Sequence, residues 1–203
     1  MLPAHPPQLT LPFLTTTDHL LPGRDWQLSG NGIVFTEMIR AATRAEGMWL
    51  VMQDSHGDIA NQPGDLVTHA VIRQVDWLSG PQIQVELRLA LWGVICPSPQ
   101  HAGAPSLSAA LRPLWREDSP VPATHLLLQK YVQWLQEYGS PHAEIPPTPR
   151  DVNASWLCRR WLELLPLPVA TKQRLLRPPS PTTCLRYLEK IVQQGDLCSN
   201  LLR

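Results

Sequence analysis

The spacing of apolar residues changes near residue 120, and this change decides which kinds of fold the chain can adopt. Before it, apolar and polar residues alternate in short runs, of which Gln82 to Ile95 is the clearest. Within that run the odd-numbered residues from 83 to 91 are apolar, and the even-numbered residues from 82 to 88 are polar. A period of two predicts a strand with one buried face. After residue 120 the apolar residues recur every three or four positions, which predicts helices.

The first part of the chain is predicted to form several short strands. Leu66 to Leu78 is the natural hairpin partner of Gln82 to Ile95, because Ser79 to Pro81 is typical of a turn. Further strands are predicted at Leu9 to Phe13, Met48 to Gln53 and Ser108 to Trp115.

One helix is predicted among these strands, between Thr36 and Glu46. Thr36 is a favourable N-cap, strong helix formers follow it, and Gly47 is a favourable stop. Many short strands with a single helix favour a small, mostly antiparallel barrel or a strongly bent sheet.

Prolines divide the second part of the chain into separate helices. Helical spacing is clear from Thr124 to Gly139 and from Val152 to Leu165. Pro166 cannot continue the second of these helices, because it has no N–H and disfavours helical angles in its predecessor. Pro168 fits the first turn of a new helix, and Arg177 to Pro181 forms a second corner of this kind. The chain is therefore predicted to be α+β, with a β-barrel lobe at 1–120 and a helical lobe at 121–203.

Charge and composition limit the classes of partner. Seventeen basic residues are balanced by seventeen acidic ones, whereas a nucleic-acid-binding domain usually shows a basic excess or stripe. The start of the chain lacks the features of a secretory signal, and no apolar run approaches the ~20 residues that span a bilayer. We therefore expect a soluble, cytoplasmic protein without a membrane partner.

No combination of residues in the sequence predicts catalysis. The phosphate-binding pattern G-x-x-x-x-G-K-[ST] and the nucleophile pattern G-x-S-x-G are both absent. The four cysteines are far apart and have no histidine at zinc-ligand spacing. Asp54, His56 and Asp58 could in principle hold a metal, but their segment has the composition of a hairpin turn, which we favour. We therefore expect no enzymatic activity, no cofactor and no metal.

The residues around the proline corners resemble a known family. The segment "LELLPLPVATKQRLLRPPSPTTCLRYLEKI", Leu162 to Ile191, is similar to the helical end of the Lon protease N-terminal, or substrate-binding, domain. In that family a leucine-rich helix, an LPL corner, a K-Q-x-L-L helix and a final leucine-rich helix occur in this order. The matching residues are Leu165, Pro166, Leu167, Lys172, Gln173, Leu175 and Leu176. "LPFLTTTDHLLPG" and the hairpin after Gly64 resemble the first half of the family more loosely.

The resemblance implies a PUA-like antiparallel β-barrel lobe followed by a helical bundle, standing alone without ATPase and peptidase modules. It implies a non-enzymatic polypeptide-recognition module, substrate-binding or adaptor-like. Its partners would be unfolded or partly folded polypeptides, with a protease or a chaperone as a further partner. PUA-like barrels also bind RNA or modified nucleotides, which is the alternative function. Arg40, Arg44 and Arg73 would contribute to that alternative, and the zero net charge counts against it.

Apolar residues of the barrel lobe are the candidates for contacts with a polypeptide. Under strict alternation Trp92 lies on the otherwise polar face of its strand. It is therefore either buried between the lobes or exposed as a binding anchor. Trp26, Leu28 and Phe35 flank the glycine-rich "SGNG" segment and leave the same two alternatives open.

Overall fold

The computed structural model of the chain describes residues 6–77, 82–97, 106–113, 115, 119–138 and 152–194. The chain divides into two compact units, Met1–Leu114 and Trp115–Arg203. Among the described residues, the first unit holds a β-sheet and one helix, and the second holds four helices. The predicted α+β class is therefore confirmed. The predicted turn at Ser79 to Pro81 and the predicted helix stop at Gly139 lie outside the described residues.

The strands of the first unit form one sheet that closes on itself. In chain order they are β1 (Gln8–Thr16), β2 (Arg24–Gly30), β3 (Met48–Met52), β4 (Leu66–Asp76), β5 (Ile83–Ile95) and β6 (Ser106–Arg112), with helix α1 (Gly32–Arg44) after β2. The strand order is β2-β5-β4-β3-β1-β6, and β5 also pairs with β6. This additional pairing closes five strands into a barrel and leaves β2 outside it. The predicted barrel is confirmed.

One pairing in the barrel differs from the prediction. β1 and β3 are parallel, with Phe13 opposite Trp49, whereas the other pairings are antiparallel. Parallel neighbours need a crossover connection, and β2 with α1 supplies it between β1 and β3. The barrel is therefore mixed, and the mostly antiparallel pairing that was predicted holds at every strand pair except this one.

Strand β2 is missing from the prediction. Trp26 and Leu28 are half-buried along it, whereas Asp25, Gln27 and Ser29 are exposed. This period of two was present in the sequence. It was obscured because aspartate, serine and glycine, which are uncommon in strands, make up much of the segment.

Helix α1 begins at Gly32, earlier than the predicted N-cap Thr36. The Thr36 hydroxyl donates a hydrogen bond to the carbonyl oxygen of Gly32 at 2.8 Å, so Thr36 bonds back within the helix instead of capping it. Gly32 has a φ of 85°, which glycine adopts without strain, and the chain turns there from β2 into the helix. The "SGNG" segment therefore includes the end of a strand and the start of a helix.

Two clusters of apolar side chains form the core of the first unit, one on each face of β3. The barrel cluster takes residues from all five closed strands and therefore fills the interior: Leu11, Trp49, Val51, Val67, Ile95 and Ala109. The α1 cluster lies between the helix and the outside of the sheet: Leu20, Ile39, Ala42, Met48, Leu50, Ala70, Val85, Leu87 and Leu89. Because both faces of β3 are covered, all of its residues are buried and apolar.

Trp49 is a fully buried side chain of the barrel cluster and has a close neighbour in β5. A Cβ atom added to Gly93 would lie 2.5 Å from the Trp49 ring and 3.0 Å from the Cβ of Ala109. The indole therefore occupies the space that a side chain at position 93 would need. On the neighbouring strand β4, the ring of His69 lies 5.2 Å from that of Trp49, and burial lowers the pKa of His69.

The described part of the second unit consists of helices separated by the prolines. They are α2 (Leu126–Tyr138), α3 (Ala154–Leu164), α4 (Val169–Leu176) and α5 (Thr182–Gln193). α3 ends before Pro166 and α4 begins directly after Pro168, so the predicted corner is confirmed. The second predicted break is confirmed as well, because no helix continues from Leu176 to Thr182.

Aromatic residues pack α2 against α3 within this unit. The buried Tyr131 ring meets the rings of Trp156 and Trp161 edge-on, at centroid distances of 5.4 and 6.2 Å. The indole N–H of Trp161 donates to the carbonyl oxygen of Leu127 at 3.1 Å. These contacts give Trp156 and Trp161 a structural role.

Charged side chains are buried where α3 meets α4. Arg160 forms an ion pair with Glu163 at 3.1 Å, and both side chains are buried. Lys172 is 2% exposed, and its amine interacts electrostatically with the carboxylate of Glu163. Burial lowers the pKa of Lys172 to about 8, and the negative charge of Glu163 offsets part of that effect. The protonated amine is therefore less stable in the folded chain than in water.

We expect Gly93→Ala to lower the free energy of unfolding by about 1–3 kcal/mol, as overpacked cores do. The reason is that the added methyl group would overlap the Trp49 ring. Urea unfolding measures the loss of stability. In a Trp49→Phe background the smaller ring leaves room, so the effect of Gly93→Ala should shrink. An equal loss of stability in both backgrounds would contradict this explanation.

We expect stability to rise with pH between about 8, the pKa of folded Lys172, and its ordinary value of 10.5. In this window the unfolded chain binds more protons at Lys172 than the folded chain does, so the free energy of unfolding increases. The rise attributable to Lys172 is up to about 3 kcal/mol. Urea unfolding of the parent and of Lys172→Met at several pH values isolates the contribution of Lys172. Parallel curves for the two proteins would show that Lys172 does not cause the rise.

Candidate functional site

The first turn of α1 carries the most exposed large apolar side chains of the described chain. Ile33 is 82% exposed and Val34 is 86% exposed. Phe35 and Ile39, by contrast, turn towards the α1 cluster. Together these two adjacent side chains form a small apolar patch in water, and exposed apolar patches mark candidate binding sites.

Of the predicted candidates, Trp26 and Leu28 lie on β2 and Phe35 lies in the first turn of α1. All three are half-buried and pack against the α1 cluster. The Phe35 ring lies flat over Gly30, where an added Cβ would come within 2.8 Å of it. The structure therefore brings these three predicted residues to the same apolar cluster, against which α1 packs.

A β-bulge decides the position of the fourth candidate, Trp92. Consecutive residues of β4 pair with Leu89 and Leu91, so Ala90 is an extra residue in β5. One extra residue shifts the alternation of faces by one position. Trp92 consequently shares the face of Leu89 instead of the polar face, and it is only 3% exposed. Strict alternation is thus wrong here, and Trp92 is a buried residue rather than an exposed one.

Trp77 was not among the predicted candidates, although it is 40% exposed. The guanidinium of Arg40 lies 6.0 Å from the centre of its ring. Arg40 also forms an ion pair with Glu37 at 2.7 Å. Because Ile33, Glu37 and Arg40 share one face of α1, this face leads from the exposed turn towards Trp77. We call the three exposed residues on and beside this face, Ile33, Val34 and Trp77, the α1 surface.

Ile33, Val34 and Trp77 were missed for a simple reason. Their exposure depends on where α1 begins and where β4 ends, and the helix begins four residues before the predicted N-cap Thr36. A helical wheel drawn from Gly32 separates Phe35 and Ile39 from Ile33, and this was the available signal.

An open concavity of about 660 Å³ is lined by residues of β2, β4 and β5. Its lining includes two carboxylates, Asp25 and Glu86, and two guanidinium groups, Arg73 and Arg88. Asp25 and Arg88 form an ion pair at 3.2 Å. The charges balance, so this concavity is not the positive groove expected of an RNA-binding barrel.

The segment Asp54 to Asp58 forms a turn. The Asp54 carboxylate accepts hydrogen bonds from the backbone N–H groups of His56 and Asp58 at 2.9 and 3.0 Å. Gly57, with a φ of 91°, completes the turn. Within the described residues no group of three or more His, Cys, Asp and Glu side chains could hold a metal.

None of the described helices has the length and apolarity to cross a membrane.

Comparisons with known proteins bear on the fold. No family model matches the sequence, and the comparison with curated proteins gives no match. Among solved structures, the Lon N-terminal domain protein from Xanthomonas campestris is 19% identical, with a TM-score of 0.60, over 90% of this chain and 98% of that one. The N-terminal domain of a Mycobacterium avium complex Lon protease is 21% identical, with a TM-score of 0.58, over 93% of this chain and 99% of that one. The resemblance seen in the sequence is confirmed as a shared fold.

We expect Trp92→Ala to lower the free energy of unfolding by about 3–5 kcal/mol, because it removes a large buried side chain and leaves a cavity. Urea unfolding followed by circular dichroism measures the change. Ile33→Ala, at a highly exposed position, is the control and should stay within about 0.5 kcal/mol of the parent. A similar small effect for Trp92→Ala would show that Trp92 is not a core residue.

Proposed function

We propose that this chain, which has the fold of the Lon N-terminal domain, is a non-enzymatic module that recognises unfolded or partly folded polypeptides. The observation that carries the proposal is the exposure of Ile33 and Val34, at 82% and 86%. Unfolded chains expose apolar side chains that folded proteins bury. Contact between such side chains and the α1 surface removes apolar area from water on both partners.

The size of this effect limits binding through the α1 surface to the weak range. Complete burial of one aliphatic side chain contributes about 1.5–3 kcal/mol, before the loss of motional freedom on binding is subtracted. Two adjacent aliphatic residues and a partly exposed tryptophan therefore support weak, reversible binding. Weak binding suits a module that must release its polypeptide to a further partner, and we propose a protease or a chaperone in that role.

The non-enzymatic character is part of the same proposal. The sequence has no phosphate-binding loop and no recognisable nucleophile with a base. One structural neighbour is the N-terminal domain of a Lon protease, and this likeness supports a role in handling polypeptides rather than in cleaving them.

RNA binding stays the alternative, but the charges around the candidate residues do not favour it. Arg73 shares its concavity with two carboxylates, and Arg40 is paired with Glu37. A groove that binds single-stranded RNA needs a surplus of positive charge beside exposed aromatic rings.

We expect the double variant Ile33→Ser, Val34→Ser to weaken binding of a permanently unfolded polypeptide, such as reduced and carboxymethylated lysozyme, about thirtyfold. Fluorescence anisotropy of the labelled polypeptide measures the affinity. Val132→Ser is the matched control, because Val132 is an exposed helical valine of the second unit. Unfolding curves of both variants should match the parent, since exposed positions contribute little to stability.

The same binding measurement separates the two functions. Apolar contacts keep their strength as salt rises, whereas contacts to phosphates lose it steeply. Tighter binding to single-stranded RNA than to the unfolded polypeptide, with a steep loss in salt, would contradict the proposal and support the alternative.

A further inference from the structure

Strand β2 lies at one end of the strand order, outside the closed barrel. It pairs with β5 on one side, and within the described ranges no strand lies on its other side. An antiparallel strand directs the backbone groups of alternate residues towards its partner and those of the intervening residues away from it. β2 therefore has one edge whose backbone groups β5 does not use.

The segment Gln27–Gly30 is the part of this edge best suited to further pairing. Apart from the ladder to β5, none of these four residues makes a backbone–backbone hydrogen bond within the described part of the chain. None of them is charged, and none is a proline. Natural edge strands use lysine, proline or bulges to prevent pairing with another chain, and this segment has none of these.

The side chains of this segment alternate in polarity. Leu28 is half-buried against the α1 cluster, whereas Gln27 and Ser29 are exposed on the opposite face. A strand added beside β2 would place every second side chain next to Leu28 and the remaining ones next to Gln27 and Ser29. The edge therefore fits an extended segment in which apolar and polar residues alternate.

We propose that Gln27–Gly30 binds an extended polypeptide segment of alternating apolar and polar residues as an additional β-strand. This inference rests on the proposed function and specifies the form in which the polypeptide is bound. Backbone pairing does not depend on a particular side-chain sequence, so it suits unfolded chains of many sequences. Ile33 and Val34 follow β2 directly along the chain, so one end of the added strand lies near the α1 surface.

Two synthetic peptides that differ only in their methylated backbone nitrogens test the inference. Each has about eight residues, within the ordinary length of a strand, with valine and threonine alternating. One is N-methylated at its valines and the other at its threonines, so each lacks the N–H groups of one edge. Strand addition uses one edge only, so the two affinities should differ about tenfold or more. Isothermal titration calorimetry measures both, together with the unmethylated peptide.

Ser29→Lys provides a second test, because lysine protects natural edges. Ser29 is exposed, so this variant should keep its stability and bind the unmethylated peptide about tenfold more weakly. Gln84→Lys is the matched control. Gln84 is exposed directly opposite Ser29, but it belongs to β5, whose edge here is already paired with β2.

The outcomes separate this inference from the proposed function. If both methylated peptides bind equally well, strand addition is wrong, although recognition of polypeptides by side chains stands. If neither these peptides nor the unfolded polypeptide binds, the proposed function fails and the inference with it. If the chain dimerises and Ser29→Lys makes it monomeric, the edge takes a second copy of this chain and the inference is overturned.

Discussion

The packing of Trp49 inside a small closed barrel is the constraint on which the first unit depends. A five-stranded barrel has little interior space, and side chains must fill it completely. The indole takes a large share of that space, so the residues facing it from β5 and β6 are small, namely Gly93 and Ala109. Its strand, β3, is covered by the barrel interior on one face and by the α1 cluster on the other. β3 therefore contributes side chains to both clusters: Trp49 and Val51 face the barrel interior, whereas Met48 and Leu50 face α1.

The spacing of apolar residues made much of this fold predictable, because the spacing that distinguishes a strand from a helix is a property of the local sequence. The strands β3, β4 and β5 and the corner at Pro166 to Pro168 were all visible in that way. Pairing partners are not local, and the parallel contact between β1 and β3 had no signal in the sequence. The bulge at Ala90 is also a property of a pair of strands, since it exists only relative to β4. This is why the face of Trp92 was predicted wrongly.

The candidate site shows the same division between local and non-local information. The sequence pointed to the correct neighbourhood, because Trp26, Leu28 and Phe35 surround the junction of β2 and α1. It did not show which apolar residues there are covered and which face water. That depends on the α1 cluster, which takes up Phe35 and leaves Ile33 and Val34 outside. In the second unit the buried charges of Arg160, Glu163 and Lys172 were likewise unpredictable, because an isolated helix would leave them in solvent.

The bulge at Ala90 coincides with a change of partner along β5. Residues 83–89 of this strand pair with β2 and residues 92–95 pair with β6, while β4 runs along the other edge. A bulge bends its strand, which allows β5 to leave β2 and close the barrel. Deletion of Ala90 would make the alternation of β5 regular, while the residues after it keep their partners in β4 and Gly93 still faces the indole. The bend would be lost instead, so that β5 would continue straight beside β2 rather than turn towards β6. The number of residues in β5 therefore matters as much as their polarity, because one extra residue bends the strand between its two partners.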